Sequence, residues 1–221
     1  MRIRFKAWAR PELEASKFYI DNPQDYKNKW KMLYKKDAPF HIELGCGKGS
    51  FIANLAVHNE NINYLAIDLV DAMLGLAKRN IEKVYEENKK EVDNVYLTRH
   101  DIERIFLILG KEDKVERIYI NFCNPWPRGK HHKKRLTHTR QLEKYKEILV
   151  DEGEIYFKTD DDGLYNDSLT YFKETGFEIV KTTKDLENEK NFWNNVQTEH
   201  EKMFIEQGIK IKAIIAKKKE N

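Results

Sequence analysis

Phe40-His41-Ile42-Glu43-Leu44-Gly45-Cys46-Gly47-Lys48-Gly49 decides the fold of this chain. A short strand-like run enters three glycines, each separated from the next by one residue, and residues 50–59 then read as a helix. Glycine at 45, 47 and 49 lets the backbone turn tightly and approach a ligand with no Cβ in the way. The next apolar run, Tyr64-Leu65-Ala66-Ile67, ends at Asp68, nineteen residues past Gly49. In an α/β fold, an acid at the tip of the second strand is where ribose hydroxyls are held. Nucleotide-binding and adenosylmethionine-binding folds share such glycines, and Glu43 helps to separate them. A carboxylate just before the turn would repel a pyrophosphate and suits a cation. S-adenosylmethionine carries a sulfonium and an ammonium. A P-loop is disfavoured, because Lys48 lies inside the glycine run and is not followed by Ser or Thr.

Outward from this stretch the alternation continues. Residues 71–90 have helical spacing, with Ala72, Leu76, Ile81 and Val84 as inward positions. Strand candidates follow at 95–98, 117–122, 154–158, 177–181 and 209–216, and helices at 102–109, 139–150 and 162–175, the last stopped by Gly176. With 40–44 and 64–67 this gives seven strands. The pattern predicts an α/β fold with a mostly parallel sheet and helices on both faces. The last two strands, with little helix between them, read as a hairpin-like antiparallel pair. Ligands of such sheets bind at the carboxyl ends of the strands, where Glu43, Asp68, Asp101, Asn124 and Asp160 fall.

The second informative stretch is Asn124-Pro125-Trp126-Pro127-Arg128-Gly129-Lys130-His131-His132-Lys133-Lys134-Arg135. The prolines fix their own φ angles and push Asn124 and Trp126 towards extended conformations. No Asp or Glu occurs over residues 117–142. A stiff polar tip beside an acid-free basic run points to a polyanion, and nucleic acid is the commonest one. The net charge of the whole chain is only +3, so the uneven distribution of charge carries that argument.

With 221 residues the chain is long enough for one large domain with a real core. Cys46 and Cys123 lie far apart and form no metal-spaced cluster, which predicts a reduced, cytoplasmic protein without a metal. No apolar h-region follows the basic N-terminus, and no apolar run reaches membrane-spanning length. Arg2, Arg4, Lys6 and Arg10, with Trp8 among them, read either as an arm that orders on RNA or as a frayed terminus. Thr198-Glu199-His200-Glu201 reads as a helix start with a capping box.

At this point the chain resembles the bacterial tRNA (guanine-N7)-methyltransferases over nearly its whole length. The matching blocks are the Glu43 to Gly49 turn, Asn121-Phe-Cys-Asn-Pro-Trp-Pro127 with its basic continuation and Arg135-Leu-Thr137, Phe157-Lys-Thr-Asp160, and Thr198-Glu-His-Glu201. The resemblance implies a Rossmann-like class I methyltransferase fold, S-adenosylmethionine as cofactor, and methylation of N7 of the guanine at position 46 of the tRNA variable loop. On this reading residues 1–36 are a basic extension and 37–221 a single methyltransferase domain, active as a monomer or homodimer. Carried over by position, Glu43, Asp68, Asp101 and Asn124 would contact the cofactor beside Gly45, Gly47 and Gly49. Arg128, Asp160, Thr198, Glu199, His200 and Glu201 would contact the substrate, and Lys130, His131, His132, Lys133, Lys134 and Arg135 would lie against RNA. One departure stands out: the family usually has Asp where this chain has Asn124.

The chemistry tolerates that departure. Guanine N7 carries a free lone pair, so no proton leaves before attack, and alignment with exclusion of water is the main task. Asn124 is then the candidate catalytic residue as a positioning group, its amide able to donate to guanine O6. Two other readings remain open from the sequence. One is a methyltransferase acting on an amino nitrogen. The other is a non-catalytic RNA-binding protein on a methyltransferase fold.

Overall fold

The computed structural model describes residues 4–189, 192 and 196–220. Arg2 of the N-terminal reading lies outside the described residues. The chain forms two compact units, Met1–Asp113 and Lys114–Asn221.

The first unit holds four strands: β1 (Tyr19–Ile20), β2 (Phe40–Leu44), β3 (Asn63–Asp68) and β4 (Val95–Arg99). Their order is β1-β4-β3-β2, and each of the three pairings is parallel. β2 is buried along its whole length, and in β3 only Asp68 escapes full burial. Residues 64–67 of β3 are a continuous apolar run, as interior parallel strands favour, whereas β2 alternates apolar Phe40, Ile42 and Leu44 with buried His41 and Glu43. Helices α1 (Ala9–Glu14), α2 (Ser50–His58) and α3 (Asp71–Glu87) belong to this unit, with α3 packed on both α1 and α2. The buried face of α3 is Ala72, Leu74, Gly75, Ala77, Ile81 and Tyr85. Leu76 and Val84, expected inward, are only partly covered, because the approach of α1 turns the buried stripe towards Gly75. A Cβ at Gly75 would lie 2.8 Å from Ala9 Cβ, so glycine is what lets α1 come this close.

The N-terminal segment is built into this unit. Ala9, Leu13 and Trp30 are fully buried. Trp8 lies under the Arg79 guanidinium at 3.6 Å, and Arg10 pairs with Glu14 and Asp21. Neither residue fits a free arm. Asp113 ties the segment down from the far end of the unit: its buried carboxylate accepts from the N–H groups of Asn28, Trp30 and Gly110.

The second unit holds β5 (Val115–Asn121), β6 (Leu149–Thr159), β7 (Glu178–Thr183) and β8 (Lys212–Lys217), with α4 (Thr139–Ile148), α5 (Asp162–Glu174) and α6 (Glu199–Glu206). Its strand order is β5-β6-β8-β7. β5 and β6 are parallel, while β8 runs antiparallel to both β6 and β7. Eight strands with mixed pairing therefore replace the seven expected. The added strand is β1, too short at two residues to show any periodicity. β7 and β8 are antiparallel but are no hairpin: a 3-10 turn at Leu186–Asn188 and all of α6 separate them. Among the described residues no helix is long and apolar enough to cross a membrane.

Candidate functional site

In the first unit the glycine turn sits between β2 and α2. Gly45, Gly47 and Gly49 have φ of 82°, 54° and 71°, the left-handed region that glycine enters without cost. Their reasons differ. A Cβ at Gly49 would lie 2.6 Å from Ala77 Cβ, so this glycine serves the packing of α2 on α3. A Cβ at Gly45 or Gly47 would meet nothing within 4 Å, so these two leave open space over the turn.

The N–H groups of the turn point into the protein. Those of Gly45 and Cys46 donate to Ile67 O at 2.9 and 3.0 Å. Gly47 N–H donates to Asp68 Oδ2 at 2.9 Å, and Gly49 N–H to Cys46 O at 2.9 Å. A phosphate-binding loop needs such groups turned outward. This turn offers carboxylates instead: Glu43, buried at the end of β2, and Asp68 at the end of β3. Burial raises the Asp68 pKa, opposed by hydrogen bonds from the N–H groups of Val70, Gly47 and Leu69. The donor set fits a cation rather than a pyrophosphate.

Asp68 Oδ2 holds Gly47 and Oδ1 accepts from Val70 N–H at 3.0 Å, and with Leu69 N–H also bonded the carboxylate keeps some acceptor capacity. Asp101 follows β4, where Oδ1 accepts from Glu103 N–H at 3.0 Å and caps the 3-10 helix Ile102–Leu107. Cys46 is buried, and desolvation, then Asp68 and Glu43, push its thiol well above the usual range, so it is an inert filler.

In the second unit the chain leaves β5 through two strained residues. Phe122 has φ of 51° and Trp126 of 42°, conformations costing a non-glycine residue about 1–2 kcal/mol each. The expectation of an extended Trp126 is corrected here. Asn124 Oδ1 accepts from Trp126 N–H at 2.9 Å, and this side-chain turn, rather than Pro127, decides the tryptophan's φ. The Trp126 ring lies 5.7 Å from that of His131, with Lys134 Nζ 5.0 Å above it.

The basic run forms a 3-10 helix, Gly129–Lys134, none of it buried. Arg128, Lys130, Lys133 and Lys134 are exposed, and His131 and His132 half-buried. Arg135 departs from its expected contact with RNA, being only 3% exposed. Its Nε donates to Pro125 O at 2.7 Å, Nη1 to Asp167 at 2.5 Å, and Nη2 to His132 Nε2 at 3.0 Å. A guanidinium with all three nitrogens bound inside the fold holds the Asn-Pro-Trp-Pro turn instead of a phosphate.

Asp160 follows β6 and is half-buried, its carbonyl accepting from Lys212 Nζ at 2.8 Å. Residues 198–201 form the expected capping box. Thr198 and Glu201 are buried, Glu201 pairing with the buried Lys158 at 2.8 Å, so these two do not face outward as expected of substrate contacts. Glu199 and His200 are exposed. Lys158 and the inward turn of Arg135 escaped the sequence reading, since nothing local distinguishes a buried lysine or arginine from a solvated one. Among the described residues no group of His, Cys, Asp or Glu could hold a metal.

The chain matches the family described as "Putative methyltransferase" over residues 37–214. It is 61% identical over 218 residues to the tRNA (guanine-N(7)-)-methyltransferase of Clostridium beijerinckii, with 99% of each chain covered. To the protein of the same name from Clostridium perfringens (strain 13 / Type A) it is 58% identical, covering 99% of this chain and 100% of that one. Among solved structures, the 16S rRNA methyltransferase KamB gives a TM-score of 0.64 at 12% identity, over 87% of this chain and 93% of that chain. An antibiotic-related methyltransferase gives 0.60 at 19% identity, over 89% and 94%. At such identity these two likenesses speak for the class I methyltransferase fold alone, whereas the relatives match along the whole chain. The chain belongs to the family of the tRNA (guanine-N(7)-)-methyltransferases.

Proposed function

We infer that the protein transfers a methyl group from S-adenosylmethionine to N7 of guanine in tRNA. One observation carries this: two relatives named for the reaction match 99% of the chain at 61% and 58% identity. The finer assignment, guanine 46 of the variable loop in the cytoplasm, is our proposal. When bound, S-adenosylmethionine supplies the methyl group on a sulfonium. Glu43 and Asp68 would hold its cationic and hydroxyl groups over Gly45 and Gly47, with Asp101 beside them in the same unit. The inward N–H groups of the turn support this cofactor over a dinucleotide.

N7 attacks through its lone pair, so no residue needs to remove a proton first. Asn124 would position the base, its amide donating to O6 while its oxygen keeps the turn closed. The methylated ring is cationic, and Asp160 would stabilise that charge. Arg128, Lys130, Lys133 and Lys134, with Glu199 and His200, would meet the tRNA. Incubation with unmodified tRNA and labelled cofactor, followed by nucleoside analysis, tests the function. Labelled 7-methylguanosine is expected. An N-methylated amine would favour the amino-nitrogen reading, and tRNA binding without label the non-catalytic one.

Two further results are expected. Asp68→Ala should weaken cofactor binding by about 1.5–3 kcal/mol, the scale of a hydrogen bond to a charged group. Asp68→Asn, which keeps an acceptor oxygen for the turn, separates loss of charge from loss of the turn. Calorimetry giving wild-type affinity for a folded Asp68→Ala protein would remove Asp68 from the cofactor site. Replacing Lys133 and Lys134 by Ala should flatten the slope of log affinity against log salt by about one unit per lost phosphate contact, with cofactor affinity intact. An unchanged slope would place both lysines off the RNA.

A further inference from the structure

Lys158 joins two pieces of the second unit. It lies near the end of β6 and is 1% exposed. Its Nζ donates to Glu201 Oε2 at 2.8 Å and to Val196 O at 3.2 Å. Its own carbonyl accepts from Phe122 N–H at 2.9 Å, two residues before Asn124. Phe122 closes the loop from the other side, its ring stacked on His200 with centroids 6.0 Å apart and planes at 25°. Glu201 Oε2 also accepts from Thr198 N–H, while Thr198 Oγ1 accepts from Glu201 N–H.

A buried ion pair is a weak source of stability, since apolar residues of similar volume often do as well. What it provides is one fixed geometry. The surrounding cluster of Leu186, Phe192, Ile211, Ala213 and Ile215 supplies apolar packing, and such packing tolerates small slides that a directed N–H···O contact does not.

We propose that Lys158 is a positioning residue for tRNA methylation, its ammonium fixing residues 198–201 through Glu201 and Val196 while its carbonyl fixes the start of the Asn124 loop. This rests on the reading that the exposed Glu199 and His200 meet tRNA. Lys158 touches neither substrate nor cofactor in this role. It sets the pose of groups that touch the substrate.

The test uses Lys158→Met/Glu201→Gln, which removes both charges while glutamine retains the capping box. The variant should unfold cooperatively and bind S-adenosylmethionine as the parent does. Its kcat/KM for tRNA should fall about tenfold to a hundredfold, the scale of a misplacement near 1 Å. His200→Ala should raise the KM for tRNA. Added to the neutral-pair variant it should cost little more, because a segment already displaced has lost that contact. A merely structural Lys158 predicts additive losses, which would overturn the proposal. Normal kcat/KM in the folded neutral-pair variant, with His200→Ala still impaired, overturns it and leaves the substrate reading standing. Wild-type kinetics for both Glu199→Ala and His200→Ala overturn that reading and the proposal together. If the neutral pair does not fold, Lys158→Arg carries the test: a raised tRNA KM in folded protein supports the proposal and an unchanged one overturns it.

Discussion

Asn124→Ala should lower the rate of methyl transfer to tRNA by about ten- to several-hundred-fold, if the site works through alignment. The substitution removes two things at once. Oδ1 is the acceptor that holds Trp126 N–H at 2.9 Å and so maintains a tryptophan at φ of 42°. Without it a strained residue relaxes towards negative φ, and the turn carrying Pro125 and Pro127 shifts with it. The amide donor to guanine O6 is lost as well. Asn124→Asp separates the two effects, because a carboxylate closes the same side-chain turn but cannot donate. We expect this variant to stay active, its lost donor offset by a negative charge near a product that becomes cationic. Single-turnover rates with saturating cofactor distinguish the cases. A natural protein without activity that gains N7 methylation only on Asn124→Asp would refute the positioning role and favour the non-catalytic reading.

Arg135→Ala should reduce kcat/KM for tRNA by about a hundredfold, as expected when a loop next to the reacting base loses its anchor. The salt dependence of tRNA binding should be unchanged. That combination separates an internal brace from a phosphate contact, since a lost phosphate contact flattens the slope by about one unit. The variant strands Pro125 O, Asp167 and His132 Nε2. Leaving a covered acceptor unpaired costs about 1–3 kcal/mol, and Asp167 adds little because its side chain is 43% exposed and solvated. A modest fall in thermal stability should accompany the loss of activity. Arg135→Lys should not restore it, because one ammonium on a flexible stem cannot serve three acceptors in a planar fork. A flattened slope in Arg135→Ala would return Arg135 to the RNA-facing surface.

The contrast between Arg135 and Lys134 shows where reading the chain runs out. Both belong to one acid-free run, and from composition alone both are phosphate ligands. One reaches solvent above Trp126, and the other turns inward to Pro125, Asp167 and His132. The inward turn depends on Asp167, thirty-two residues away on α5, which no local pattern connects to Arg135. Lys158 is the same case, with its partner Glu201 forty-three residues on. β8 entering between β6 and β7 is another, since the order of strands is settled by long-range pairing.

What the sequence determined by itself was carried by short-range chemistry. The three glycines with Glu43 and Asp68, the helical spacing that became α2, α3, α4 and α5, and the capping box at Thr198 all depend on residues close along the chain. Tertiary structure decided which charges face water and the burial of Thr198 and Glu201. It also decided that the N–H groups of the glycine turn point inward, because their acceptors, Ile67 O and Asp68, arrive with a neighbouring strand. A charged side chain carries the same letter whether solvated or paired in the interior, and only the partner that folding delivers distinguishes the two.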